Sequence, residues 1–260
     1  MKESGQAGAR GAASGSSRAA RIALWSGPRN LSTALMRSFG SRADTAVVDE
    51  PFYGHYLAQS GREHPGREEI LAHAETDAGA IAAGLLGPLP EGRTISYQKH
   101  MAHHLLPSVP RAWLDAVRSA FLIRDPAAVL ASLDCHLTHI TVADTGLSQQ
   151  VEILRRETER RGCLPPVIDS ADLLAEPRRM LEALCAALDI SFDPAMLAWA
   201  QGARATDGVW GPRWYGEVYA TTGFAAPRDG RPREFPEELR GVLDECQPFH
   251  AELASHKLKP

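Results

Sequence analysis

Five short apolar runs, at residues 22–26, 45–49, 94–98, 120–124 and 166–169, alternate with stretches of helical periodicity. Parallel strands need a long crossover between them, and that crossover is usually a helix, so this alternation reads as βαβ units. The expected fold is therefore α/β: a three-layer sandwich around a central parallel sheet of about five strands, as in the P-loop nucleotide-binding folds. The helical stretches are 32–39, 68–86, 126–138, 149–161 and 177–188, with a closing helix at 237–253. Gly40 fits the left-handed position just past the end of the first. In the fifth, Pro177 suits a first turn, and Met180, Leu184 and Leu188 recur at i, i+4 and i+8.

The length of 260 residues suits one such domain, and 44% hydrophobic with 23% charged residues is ordinary globular composition. A net charge of -4 argues against a general nucleic-acid binder. No stretch has the apolar length to cross a bilayer. Residues 1–20 are rich in Gly, Ala and Ser and hold no large apolar residue beyond Met1, so they read as a disordered tail and not a secretory signal. Cys135, Cys163, Cys185 and Cys246 are scattered without a Cys-x-x-Cys pair. That pattern fits buried thiols in a reducing compartment, disfavours a zinc site, and makes the expected location cytoplasmic. From 203 to 235 Gly, Pro, Arg and aromatics mix without period, which suggests an ordered loop or lid on a single domain spanning 21–260. No motif indicates an oligomeric state.

Three stretches carry candidate chemistry. IALWSGPRNLST, residues 22–33, orders a strand, a tight loop and a helix start. Amides at a helix N-terminus favour an anion, and the Arg29 guanidinium can hold phosphate or sulfate bidentately. Ser32 and Thr33 either donate hydroxyls to that anion or cap the helix. The loop lacks the second glycine and the Gly-Lys-Ser/Thr ending of a nucleotide P-loop.

In SAFLIRDPAAVLASL, residues 119–133, Arg124 ends a strand, where open α/β sheets bind ligands. Asp125 and Pro126 suit the start of the next helix, and Ser132 follows Arg124 by eight residues, about two turns. In VVDEPF, residues 47–52, Asp49 or Glu50 is placed to act as a base, to pair with Arg29 or to cap the following helix. Lys99, His100, His103 and His104 are the competing proton acceptors, histidine being suited to transfer near neutrality.

Together these stretches resemble the sulfotransferases that use 3′-phosphoadenosine 5′-phosphosulfate (PAPS). SGPRNLSTALMRSF resembles the family's 5′-phosphosulfate loop, and FLIRDPAAVLASL its 3′-phosphate motif. DEPF is similar to the Glu-Pro of carbohydrate-type members, where the Glu is the base, and VIDSADLLAEPRRM to a later family segment. The resemblance covers residues 22–199. It departs at Leu31, where many members have Gly, and at Arg29, where cytosolic members have Lys. The Lys-x-His of those members is also absent, since Lys99 is followed directly by His100.

The resemblance implies transfer of a sulfuryl group from PAPS to a hydroxyl or amine of a small-molecule or carbohydrate acceptor, leaving the bisphosphate PAP. It implies that Gly27, Arg29, Asn30, Ser32 and Thr33 form the 5′-phosphosulfate loop, and that Arg124 and Ser132 hold the 3′-phosphate. Glu50 is the first choice of base and His100 the second, and no metal is called for. The tail lacks the family's Arg-Lys-Gly signature, leaving Arg204, Trp210 and Arg213 as candidates there. Two rival readings are a P-loop kinase, with Asp49 holding magnesium, and a non-catalytic nucleotide-binding protein of the same fold.

Overall fold

The computed structural model describes residues 19–137, 139–224 and 235–259. The expected tail up to residue 18 and residues 225–234 of the expected lid lie outside the described residues.

In chain order come β1 (Ala20–Ser26), α1 (Ser32–Gly40), β2 (Thr45–Asp49), α2 (Tyr53–Ser60), α3 (Arg67–His73), α4 (Ala78–Leu85) and β3 (Ile95–Met101). They are followed by β4 (Arg118–Ile123), α5 (Pro126–Leu133), α6 (Val142–Thr145), α7 (Leu147–Arg161), β5 (Val167–Asp169), α8 (Ser170–Ala175) and α9 (Pro177–Ala187). Two short helices, α10 (Gly211–Trp214) and α11 (Gly216–Tyr219), precede the closing α12 (Arg240–Ser255).

The strands form one parallel sheet in the order β2-β3-β1-β4-β5. With β1 in the middle and helices on both faces, its side chains are buried whichever way they point, hence its unbroken apolar run. Ile22 and Leu24 pack with Leu35, Met36 and Phe39 of α1 and with Met180, Leu181 and Leu184 of α9. Ala23 and Trp25 face the other layer, with Ile81 of α4, Val151 and Leu154 of α7, and Leu253 of α12. Each large side chain so buried contributes about 1.5–3 kcal/mol.

Several local expectations change. Gly40 is the last residue of α1 and not a left-handed cap, because Ser41 follows in helical conformation and bonds the Arg37 carbonyl through both its amide and its hydroxyl. The stretch 68–86 is two helices. Glu75 takes the amides of Thr76 and Asp77, and the Asp77 side chain caps α4 by accepting from Ala80 N–H. These local bonds compete with a continuous helix. α5 stops at Leu133, short of the expected 138. Cys135 and Cys163 are exposed, so only Cys185 and Cys246 are buried thiols. Among the described residues no helix is long and apolar enough to cross a membrane.

Candidate active site

The chain leaves β1 at the carboxyl edge of the sheet and passes tightly against α6. A Cβ on Gly27 would lie 2.3 Å from the Thr145 carbonyl oxygen, so only glycine fits there. Arg29 (φ +60°) and Leu31 (φ +71°) are left-handed, and Asn30 between them is not. Such alternation turns successive N–H groups into one concave nest, which attracts anions. Leu31 thus takes the conformation glycine would adopt freely, at a cost of about 1–2 kcal/mol. The Asn30 side chain donates to the Leu122 carbonyl at 3.2 Å and ties the nest to β4.

The helix start resolves one ambiguity. Leu31 is the N-cap of α1, with no side-chain cap bond, so neither Ser32 nor Thr33 caps the helix. Both line a cavity of about 180 Å³ together with Arg29, Asn30 and Arg124. Arg29 Nε donates to Ser132 Oγ at 2.9 Å, and Arg124 Nη1 donates to the Arg29 carbonyl at 2.7 Å. The fold thus gathers Arg29, Arg124 and Ser132 from two βα junctions. Ser132 sits behind Arg29 and does not itself line the cavity.

Glu50 lines the same cavity. Its backbone is also left-handed (φ +42°), and its N–H donates to the Lys99 carbonyl. The carboxylates pair with Lys99 and not with Arg29. Lys99 Nζ donates to Asp49 Oδ1 at 2.9 Å and to Glu50 Oε1 at 2.5 Å, fully buried. Burial raises the Glu50 pKa, neighbouring Asp49 adds to the rise, and Lys99 opposes it. Burial alone would lower the Lys99 pKa, but the two carboxylates outweigh it and raise it.

His100 is not brought to this cavity. It alternates to the opposite face of β3, stacked on Trp25 at 4.4 Å between ring centroids and near Phe52 and Trp113. Burial, with Lys99 adding, lowers its pKa to about 3, so it is a neutral core residue. His103 and His104 do line the cavity, the latter stacked between Tyr53 (4.6 Å) and Tyr56 (4.8 Å). Burial holds both neutral, His103 at about 3.

The aromatic stretch beyond 203 closes one side. Tyr215, missed as a site residue, reaches Asp49, Glu50 and Lys99, while Trp214 and Glu217 line the cavity. Trp210 donates to the Tyr215 hydroxyl at 2.9 Å. Arg204 binds carbonyls of its own turn and Arg213 pairs with Glu69, so neither of these two candidates lines the cavity.

The sulfotransferase-domain family matches residues 20–256. The chain belongs to this family. A sulfotransferase from Alicyclobacillus acidocaldarius superposes with a TM-score of 0.56 at 14% identity, covering 92% of this chain and 97% of that one, which supports the shared P-loop-like fold. Two proteins of Arabidopsis thaliana, branched-chain-amino-acid aminotransferase-like proteins 1 and 2, are 34% and 32% identical over 235 residues. That is 90% of this chain, which spans about two fifths of these relatives' own length (42% and 41%). Sulfotransferase membership therefore rests on the match across nearly the whole chain, and the fold agrees with it.

Proposed function

We propose that residues 21–260 form one PAPS-dependent sulfotransferase domain that modifies a hydroxyl or amine of a small-molecule or carbohydrate acceptor. The observation that carries this reading is the shared cavity. The anion nest, Arg29, Arg124, the Glu50 carboxylate and the neutral imidazoles of His103 and His104 all line it. Free cysteines throughout suit a reducing compartment, and a cytoplasmic location is part of the proposal.

The chemistry follows from the placement. The nest amides, Arg29, Ser32 and Thr33 hold the 5′-phosphosulfate, and Arg124, with Ser132 braced on Arg29, takes the 3′-phosphate. Sulfuryl transfer, like phosphoryl transfer, is governed by positioning and by neutralising charge as it shifts. The acceptor oxygen bonds to sulfur while the bond from sulfur to the bridging oxygen breaks. Arg29 and the nest amides stabilise the negative charge left on PAP. The acceptor proton passes to Glu50.

The kinase reading is disfavoured by Asp49, whose oxygens are taken by Lys99, Tyr215 and Gly208 N–H. Thermal-shift titrations separate the readings. PAP is expected to stabilise the protein without magnesium, by about 2.7 kcal/mol at a hundredfold excess over Kd, and ATP with magnesium to do little. Arg124→Ala is expected to weaken PAP about tenfold to a hundredfold, the loss of one charge-assisted contact, with the fold intact. A magnesium-dependent ATP shift with none for PAP overturns the proposal.

A further inference from the structure

We infer that Tyr215 is a positioning residue for Glu50, holding one carboxylate oxygen so that the other is presented to the acceptor, and that the 203–224 stretch thereby sets the competence of the base. This rests on the sulfotransferase reading above and adds a device to it.

The Tyr215 oxygen accepts from Lys99 Nζ at 2.7 Å and from Trp210 Nε1 at 2.9 Å. Both its lone pairs are then in use, and its single proton must go outward. The acceptors within reach are all carboxylate: Asp49 Oδ1 and Oδ2 at 2.9 Å each and Glu50 Oε1 at 3.1 Å. Glu50 Oε1 thus accepts from Lys99 and shares the one Tyr215 proton with the nearer Asp49. Glu50 Oε2 has no hydrogen bond among the described residues and lies 4.0 Å from His104 Nδ1, a cavity residue.

That asymmetry is what a directed base needs. The charge stays on the carboxylate because Lys99 and Tyr215 stabilise it, while the lone pairs of Oε2 stay open to an acceptor proton. Lys99 alone would leave Glu50 free to rotate, because an ammonium has no fixed fork. A phenol on a rigid ring, itself pinned by the Trp210 indole, supplies the missing direction.

The clamp also comes from a distant part of the chain. Tyr215 lies between α10 and α11, and the same stretch places Gly208 N–H 3.1 Å from Asp49 Oδ2. Seating that stretch and orienting the base are therefore one event. The ionisable groups around Glu50 are Asp49 on β2, Lys99 on β3, His104 beyond β3, Tyr53 at the start of α2, and Tyr215 itself. Of these, Lys99 and Tyr215 favour its charged form and Asp49 opposes it.

Tyr215→Phe keeps the ring and removes the proton donor. Its PAP affinity, read by calorimetry, is expected to stay within about twofold of wild type. The acidic limb of its kcat–pH profile is expected to move up by about one pH unit, the size of one lost hydrogen bond to a carboxylate. Trp210→Phe, which only loosens the phenol, is expected to move the limb the same way by less, and it serves if Tyr215→Phe fails to fold. A limb unmoved in both variants, with wild type turning over normally, overturns the clamp and spares the sulfotransferase reading. A wild type that binds no PAP overturns that reading instead.

Discussion

Glu50 is held in a left-handed backbone conformation, φ +42°, that a non-glycine residue adopts at a cost of about 1–2 kcal/mol. The strain persists because its surroundings fix both ends of the residue. The amide is bonded to Lys99 O, and the carboxylate to Lys99 Nζ and Tyr215. Strain of this kind concentrates where a side chain must point somewhere specific, here into the cavity it shares with the anion nest and His104. Glu50→Gln keeps the shape and the hydrogen-bond reach but not the basicity. Its kcat is expected to fall about a hundredfold or more, the usual contribution of a positioned base, while PAP affinity stays near wild type. Single-turnover rates and calorimetry on the same preparation check this, and wild-type turnover would remove Glu50 from the chemistry.

At the level of elements, the decisive piece is the stretch carrying α10 and α11, which is tied down before it reaches the site. Arg37 of α1 makes a two-pronged ion pair with Asp207, 2.6 and 2.7 Å, with both side chains buried. Breaking one side of such a pair strands the other charge away from water, so Asp207→Asn is expected to cost about 3 kcal/mol, measured by urea unfolding. It should also loosen the Tyr215 clamp. A loss below about 0.5 kcal/mol would mean that the pair behaves as a surface bridge. None of this was legible in the sequence. Strands, the β1–α1 loop and the Arg124 junction were, because each is encoded by residues adjacent in the chain: an apolar run, a tight Gly27, a Pro126 after a capping Asp125. Lys99 meets Tyr215 across 116 residues, and Tyr215 meets Asp49 across 166, so no local pattern announces them. His100 was misread for a related reason. Period-two alternation along β3 put Lys99 on the site side and its neighbour in the core, a choice that depended on which face of the strand the site would use.

Across the whole molecule, the central sheet brings the carboxyl ends of β1, β2, β3 and β4 together at one edge, and the site's charges are gathered there. The same packing buries His100 and His103 as neutral imidazoles, each with a pKa lowered to about 3. In the unfolded chain they would titrate near 6.5. Between these values the unfolded chain binds more protons than the folded one, so stability is full above about pH 6.5 and is lost as pH falls toward 3. Each histidine then removes about 1.4 kcal/mol per pH unit, about 4 kcal/mol for His100 and His103 together by pH 5, and His104, lowered by the same burial, adds to the loss. That is a large part of the roughly 5–15 kcal/mol that holds a domain together, so destabilisation should begin well above the range where carboxylates protonate. Urea unfolding at pH 7.5, 6 and 5 is expected to show a steady fall in midpoint. His100→Gln, which keeps a polar side chain beside Gln98 but cannot take up a proton, should have about two thirds of the wild-type slope in that window, since His103 and His104 still titrate. A midpoint that stays level from pH 7.5 to 5 would show that the imidazoles are protonated inside the fold, and that the site edge is wetter than its packing implies.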